Sequence, residues 1–549
     1  MRIAFVNPSV GFSDRRKSKP IGLAYIMAYI RDHGFPSDGF DFGDSEDDPA
    51  ELARQYGLGE YDIVGFSVYN ESFLPAITMA RVVKERNPDA LIIMGGPHAT
   101  AVHEHIMAKY PLVDAVVRRE GEEAMLEILR ALADGGDPTG IAGTTWRNAD
   151  GAPKVNCERN FIGELDELPF PQADFISHSG YPPLTYFDEV QGSLKRALSI
   201  NSSRSCPYNC SFCGVLTIGR RYRIRSPKSI TDEIAFFRKT DGVDYQHIYF
   251  SDANFFVSVK RCVEIAEALH AFDPELTFSF GTRVNQILAA RDHIPRLKEC
   301  GLRFIELGVE SFSRPMLERL AKEVEPETNA AALALLERHD MDLALDFIMI
   351  DPMTTLQDIA INMQFFRTLG LYDYVPHDHL YTSLILYEGT PIRGFYEQRY
   401  GLEFDPDVLP DHRELIEDPA VSRLYWEMQW FRREWQERID DALAQLELAL
   451  ESGRRDPTRT PWDDEVFAHY SLDAFALRHA PNLFLESLLD DAMSGFPVAD
   501  GPGGVPALLP RLSYDKVTLP ELVERVEAAT AGLTLDTDLV LPGALGRLR

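Results

Sequence analysis

The residues of this 549-residue chain best suited to chemistry are concentrated in one run, Cys206-Pro-Tyr-Asn-Cys210-Ser-Phe-Cys213, which holds three of its six cysteines. Three soft thiolates suit an iron-sulfur cluster or zinc. A structural zinc site is closed by four protein ligands, whereas a cubane cluster held by three cysteines leaves one iron free for a ligand from outside the chain. On the residues alone two other readings stand: a zinc site whose fourth ligand lies elsewhere, His247 being a candidate, or three small buried side chains. The CxxxCxxC interval favours the cluster, and the surrounding elements have to supply the rest.

Composition narrows the field. A net charge of −31 argues against a nucleic-acid partner, because affinity for phosphate backbones comes chiefly from Lys and Arg. At 45% hydrophobic and 26% charged content the chain can bury several cores, enough for about two to four domains. No apolar run reaches bilayer-spanning length, and Met1-Arg-Ile-Ala-Phe-Val-Asn-Pro8 reads as a strand entering a turn rather than a signal peptide. A cytoplasmic protein with no membrane partner is therefore expected. Cys157, Cys262 and Cys300 are scattered, which suggests packing roles and no disulfide framework.

The elements that must position the thiolates fall into four segments. Over residues 1–150, short strands at Arg2–Val6, Gly39–Phe42, Asp62–Val68, Leu91–Met94 and Asp114–Val117 alternate with helical patterns at Ile21–Arg31, Ser72–Glu85 and Glu122–Ala133. This alternation predicts an α/β doubly wound parallel sheet with its ligand site beyond the strand C-termini. Those ends carry Asn7–Ser13, Ser67–Ser72, Gly95–Thr100 and Arg118–Glu122. Gly95 and Gly96 would let a bulky planar ligand approach the backbone, and Ser67, His98 and Thr100 offer hydrogen bonds. No GxGxxG follows the first strand, so a dinucleotide is the weaker expectation. Residues 151–195 read as a connector, Leu165-Asp-Glu-Leu-Pro-Phe-Pro171 at its centre.

Residues 196–395 show six strands, Leu198–Ser202, His247–Ser251, Thr277–Thr282, Phe304–Val309, Leu345–Ile350 and His379–Leu386, with helices fitting the gaps. Six such units predict a partial (β/α)6 barrel whose active site faces the strand C-termini, and the cysteine run follows the first strand. The other ends supply Asp252 and Asn254, Arg283, Glu310 and Ser311, Asp351 and Thr354, and Thr390. Such a set suits a zwitterion carrying ribose: Asp252 for the amino group, Arg283 for the carboxylate, Glu310 or Ser311 for hydroxyls. Residues 396–549 are mainly helical. Val421–Glu451 predicts one long amphipathic helix with Trp426, Trp430 and Trp435 as a packing stripe, followed by a helix at Pro461–Phe467 capped by Thr460 and a connector over Gly495–Pro510.

The triad after the first strand of a six-unit half-barrel resembles the radical S-adenosylmethionine superfamily, and the N-terminal sheet resembles the cobalamin-binding domain of its cobalamin-dependent methyltransferase branch. Pro20–Tyr25, Gly95–Thr100, Leu165–Pro171, Phe250–Phe255, Gly308–Ser311 and Gly389–Pro391 carry the likeness alongside the triad. It covers roughly residues 1–395 and is silent on the helical C-terminal segment, where family members place a substrate-selecting cap. The resemblance implies a [4Fe-4S] cluster on Cys206, Cys210 and Cys213, and S-adenosylmethionine near Phe212, Asp252, Asn254, Arg283, Glu310 and Ser311. It implies cobalamin near Ser9, Ser67, Tyr69, Asn70, Glu71, Gly95, Gly96, His98, Thr100, Glu120 and Gly121.

Two departures qualify it. The loop Asn7–Pro20 lacks the histidine of a DxHxxG motif, so cobalt would meet the loop Ser67–Glu71 instead, with Tyr69 or Asn70 nearest. Ser251-Asp-Ala-Asn254 stands where relatives carry Gly-Gly-Glu. The implied reaction is cleavage of S-adenosylmethionine to a 5'-deoxyadenosyl radical followed by methyl transfer from methylcobalamin to an unactivated carbon, or to a phosphinate phosphorus, in natural-product (antibiotic) biosynthesis. A flavodoxin or ferredoxin would supply electrons. Two alternatives remain at this point: a cyclase or ring-rearranging enzyme using the same cofactors without net methylation, and a zinc-stabilised binding module without catalysis.

Overall fold

A computed structural model describes residues 1–9, 20–43, 45–148, 150–171, 174–177, 185–188, 193–375, 377–381, 383–410, 414–455, 461–494, 513–514 and 517–530. The predicted Thr460 cap, the Gly495–Pro510 connector and most of the Asn7–Pro20 loop lie outside these residues. The chain forms two compact units that are interleaved in sequence: Met1–Leu184, Arg196–Phe280 and Ile385–Pro410 make the first, and Thr185–Lys195, Gly281–Leu384 and Asp411–Arg549 the second.

The first unit begins with β1 (Ile3–Asn7), α1 (Ile21–Asp32), β2 (Asp38–Asp41), α2 (Pro49–Gln55), β3 (Ile63–Ser67), α3 (Asn70–Arg86), β4 (Leu91–Gly95), α4 (Gly96–Ala101), α5 (His103–Lys109), β5 (Ala115–Val117) and α6 (Glu122–Ala133). Strands rich in Ile, Val and Phe are buried on both faces, as a parallel sheet under helices requires. One face packs Phe40, Phe66 and Val64 against Phe73 and Met79 of α3. The other packs Ile3, Phe5 and Ile93 against Met27 of α1 and Leu129 of α6. The sheet continues past the five predicted strands: β6 (Thr144–Arg147), before the connector, and β7 (Pro153–Val155), within it, extend it antiparallel beyond β5, and β8 (Phe175–Ser177), also in the connector, joins parallel to β2. The order is β7-β6-β5-β4-β3-β1-β2-β8, with β1, the first strand in sequence, in the interior.

The same unit holds three parallel strand segments, pairing Ala197 with His247 and His247 with Thr277 in register. Helices Pro227–Thr240 and Val259–Phe272 follow the first two, each opened by a serine whose hydroxyl accepts a first-turn amide, Ser226 from Ser229 and Ser258 from Arg261. A ladder of stacked rings supports the strand ends: Phe250 on Phe255 at 4.6 Å, Phe255 on Phe280 at 4.6 Å, Phe256 against Phe280 at 4.8 Å.

The second unit pairs Leu302–Glu310 with Asp342–Phe347 in parallel. The predicted sixth strand, His379–Leu386, is not formed. His377–Tyr381 is a short helix, and the run beyond it makes only the single bridge Ile350 to Ser383 among the described residues. The His379 ring explains this, since its Nδ1 accepts the Phe347 amide at 3.1 Å, a donor that a neighbouring strand's carbonyl would otherwise take. The predicted helix Val421–Glu451 runs as Pro419–Phe431, a π-turn at Arg432–Gln436, and Glu437–Arg455. Trp435 is buried while Trp426 is 51% exposed, against the expectation of a shared packing stripe; nine residues of helix, at roughly 100° per residue, already turn the two side chains to opposite faces. The predicted Pro461–Phe467 helix continues to Met493. No described helix is long and apolar enough to cross a membrane.

Candidate active site

A cavity of about 660 Å³ opens in the first unit. The N-terminal sheet lines one side of it through Ser67, Tyr69, Asn70, Gly96 and His98, and the cysteine loop lines the other through Ser205, Gly214 and Thr217.

The cysteine loop is closed at its base by a two-stranded ribbon in which Ser203 pairs with Ile224 and Arg204 with Arg223. Ser205 holds φ +68° immediately before Cys206, a left-handed conformation that a serine keeps only where its surroundings impose it. Within the loop the Cys213 amide donates to the Cys210 carbonyl at 3.2 Å and the Leu216 amide to the Cys213 carbonyl at 3.3 Å, leading into the short helix Val215–Ile218. Cys210 is buried, Cys206 and Cys213 half-buried, and Phe212 lies half-buried between them. His247 is no fourth ligand: it is buried with Nδ1 2.8 Å from Thr277 Oγ1 and Nε2 2.7 Å from Ser279 Oγ. Of the remaining cysteines, Cys262 is packed and donates to the Phe255 carbonyl at 3.1 Å, burial pushing its thiol pKa up. Cys300 is buried, and Cys157 is exposed, contrary to the packing role expected for it.

Asp252 and Asn254 sit on the loop that the phenylalanine ladder anchors. Asp252 is buried and accepts from the Ser202 amide and from the Ser202 and Ser203 hydroxyls, each at 2.6 Å. Burial raises its carboxyl above the usual range while those donors oppose the shift. It therefore ties two strand ends together beneath the cysteine loop. Asn254, 1% exposed, directs its amide nitrogen at Cys206 Sγ, 4.0 Å away. Hydrogen bonds to ligating sulfur are one means by which a protein tunes a cluster's potential.

On the sheet side, Gly96 has φ +92°, and a Cβ there would stand 2.8 Å from the Val68 carbonyl oxygen and 2.9 Å from the Val68 nitrogen. A Cβ on Gly95 would lie 3.3 Å from the Val117 carbonyl and one on Gly121 2.8 Å from Ile26 Cδ1. Thr100 Oγ1 accepts the Arg119 amide at 2.9 Å, and Ser9 Oγ donates to the Ser45 carbonyl at 2.5 Å. Glu71 accepts from the Tyr387 hydroxyl at 3.3 Å, and Tyr69 is 52% exposed on the cavity wall. Glu120 is turned to Arg204 and Arg223.

The Asn70 amide nitrogen and both His98 ring nitrogens are buried without a hydrogen-bond partner among the described residues. Unpaired polar atoms are costly to bury, and these belong to residues that line the cavity, so a polar ligand there would satisfy them. Burial lowers the His98 pKa to about 4. The unfolded chain then takes up a proton between about pH 6.5 and 4 that the folded protein refuses. This contribution to stability is complete above about pH 6.5 and is lost as pH falls toward 4, by up to ~3 kcal/mol. His98→Phe should flatten that acid limb in melting curves recorded against pH. It should also weaken hydroxocobalamin binding to the apo protein by about tenfold, the worth of a lost hydrogen bond. Unchanged affinity in a folded variant would contradict the expectation that His98 contacts cobalamin.

Arg283, Glu310 and Ser311 lie in the second unit and are paired there. The Arg283 guanidinium donates to the Lys322 carbonyl, Lys322 Nζ sits 2.5 Å from Glu310 Oε1, and Ser311 Oγ donates to Asn362 Oδ1 at 3.1 Å. Glu310 holds φ +64° at the strand end. Sequence reading missed Arg204, Arg223 and Tyr387 on the cavity wall. For Arg223 the arginine-rich stretch Arg220-Arg-Tyr-Arg-Ile-Arg225, conspicuous in so acidic a chain, was the available signal.

Residues 12–129 match the B12 binding domain family and residues 200–366 the Radical SAM superfamily. An uncharacterized methyltransferase of Pyrococcus horikoshii is 27% identical over 398 residues, 71% of this chain and 82% of the relative. The anaerobic magnesium-protoporphyrin IX monomethyl ester cyclase of Rubrivivax gelatinosus is 28% identical over 63% of this chain and 62% of its own. The 2-(S-pantetheinyl)-carbapenam-3-carboxylate methyltransferase of Streptantibioticus cattleyicolor is 30% identical over 46% of this chain and 36% of its own. Among solved structures, the cobalamin-dependent S-adenosylmethionine radical enzyme OxsB superposes with a TM-score of 0.65 at 17% identity, covering 97% of this chain and 84% of that one, a likeness of fold.

Proposed function

The chain belongs to the cobalamin-dependent radical S-adenosylmethionine enzymes, and on that premise we propose that it is a methyltransferase acting on a natural-product biosynthetic intermediate. The acceptor would be an unactivated sp3 carbon or a phosphinate phosphorus. The family's cofactors, a [4Fe-4S] cluster, S-adenosylmethionine and cobalamin, supply one-electron cleavage, hydrogen abstraction and methyl delivery.

The observation that carries this reading is a cavity lined both by the strand ends of the N-terminal sheet and by the residues that flank the three cysteines, Ser205 before them and Gly214 and Thr217 after. Cys206, Cys210 and Cys213 would hold the cluster and leave one iron open, with Asn254 bonding a ligating sulfur. Phe212 would adjoin S-adenosylmethionine. Gly96 would allow the corrin ring close approach, and His98 and Asn70 would take up its amide groups. The paired Arg283, Glu310 and Ser311 would need to release present partners to bind a ligand directly. Segments 1–150, 151–195, 196–395 and 396–549 remain the proposed cobalamin domain, connector, radical domain and substrate cap, and a flavodoxin or ferredoxin the proposed electron donor. The matching carbapenam methyltransferase supports a natural-product acceptor.

The matching cyclase makes ring formation the specific rival. The two separate without knowledge of the acceptor. Reconstituted protein given S-adenosylmethionine and a chemical reductant should methylate its reduced cobalamin and release S-adenosylhomocysteine, both seen by mass spectrometry. Formation of 5'-deoxyadenosine with no S-adenosylhomocysteine would sink the methyltransferase reading and favour the cyclase.

A further inference from the structure

Glu120 follows β5 at the cavity wall, where a cofactor contact would be unremarkable, yet its carboxylate is committed to the protein. Arg223 Nη1 approaches its two oxygens at 2.7 and 2.9 Å, Arg204 Nη1 lies at 3.2 Å, and the Ile162 amide donates at 3.1 Å. Arg223 also donates to the Ile162 carbonyl at 2.8 Å, and Glu122 takes the second Arg204 nitrogen at 2.6 Å. The Tyr25 ring lies 5.0 Å from the Arg204 guanidinium and the Phe161 ring 4.8 Å from that of Arg223, so the cluster is walled by apolar faces as well as paired.

The placement of the two arginines gives this hub its meaning. They are direct cross-strand partners at the base of the cysteine loop, and Arg204 is two residues from Cys206. Like charges facing each other across a ribbon repel, and a shared anion turns that repulsion into attraction. Glu120 comes from a different layer, the loop after β5, where Arg119 holds φ +64° and its amide is tied to Thr100.

We infer that Glu120 is a positioning residue: by bridging Arg204 and Arg223 it fixes the cysteine loop against the loop after β5 and so sets the spacing of the two cavity walls. The clamp stands on the contacts alone, and its consequence for two cofactors rests on the proposed function.

Amide hydrogen exchange on the apo full-length protein reads the clamp directly. In Glu120→Gln, which keeps the shape and removes the charge, residues 203–206 and 223–225 should exchange about tenfold faster than in the native chain while the rest of the sheet is unchanged. Arg223→Gln, which leaves Glu120 in place, should loosen the same amides and serves if Glu120→Gln does not fold. Protein reconstituted with iron, sulfide and hydroxocobalamin and then reduced gives the second readout, the dipolar coupling between the cluster and cob(II)alamin. Its distance distribution should broaden in the variants, a change that lowered stability alone would not produce. Native exchange rates in both variants would overturn the clamp, and an unchanged distance distribution despite faster exchange would overturn its role in spacing the walls. Should the native chain bind neither cofactor, the proposed function fails while the exchange result still decides the clamp.

Discussion

Cys210→Ala is expected to abolish the brown cluster absorbance and all 5'-deoxyadenosine formation, whatever the acceptor proves to be. Cys210 is the most buried of the three thiolates and the centre of the loop, its carbonyl accepting the Cys213 amide. Removing it leaves two candidate ligands, too few to hold a cubane that already has one open iron. The fold should survive, because the loop is closed by the Ser203–Arg204 and Arg223–Ile224 ribbon rather than by the metal. Circular dichroism like that of the native chain, together with lost absorbance, is the expected pair of results. Retained turnover would refute the cluster assignment.

Gly96→Val is expected to have the next largest effect. The residue holds φ +92°, and its added Cβ would meet the backbone of Val68, which cannot rotate away as a side chain could. Left-handed geometry alone costs an L residue roughly 1–2 kcal/mol, more when it is β-branched, and the overlap must be relieved by moving β3 or α4. Either movement displaces the wall that carries Ser67 and His98. Titration of the apo variant with hydroxocobalamin should show at least about tenfold weaker binding, equivalent to about 1.4 kcal/mol, with a lowered melting temperature. A folded Gly96→Val protein with native affinity would contradict the placement of cobalamin on this wall.

How far the sequence could be read depended on whether the deciding contacts were local. β1–β5 and the helices α1, α3 and α6 were legible because each buries an apolar face, so the period of two or 3.6 residues survives in the chain; the short helices α2, α4 and α5 were not, and Gly96–Ala101, read as part of a loop, is helical. The triad could be singled out because its spacing is itself the signal. The ion pairs of Glu120 were not legible because its partners lie 84 and 103 residues away, beyond any local pattern. Asp252 looked like an open carboxylate at a strand end and proved to be held by serines 50 and 49 residues earlier. The sixth strand failed for the same reason: no propensity foretells that a histidine ring will take the Phe347 amide. Phe255 and Phe256 were legible as apolar, but not as the ladder that steadies the loop bearing Asn254.

The proposed function places a three-cysteine cluster and cobalamin beside one cavity. Metal analysis of the chain purified anaerobically and supplied with hydroxocobalamin tests it most directly. About four iron and about one cobalt per chain are expected, the cobalt remaining after gel filtration. One zinc with neither iron nor cobalt would contradict it.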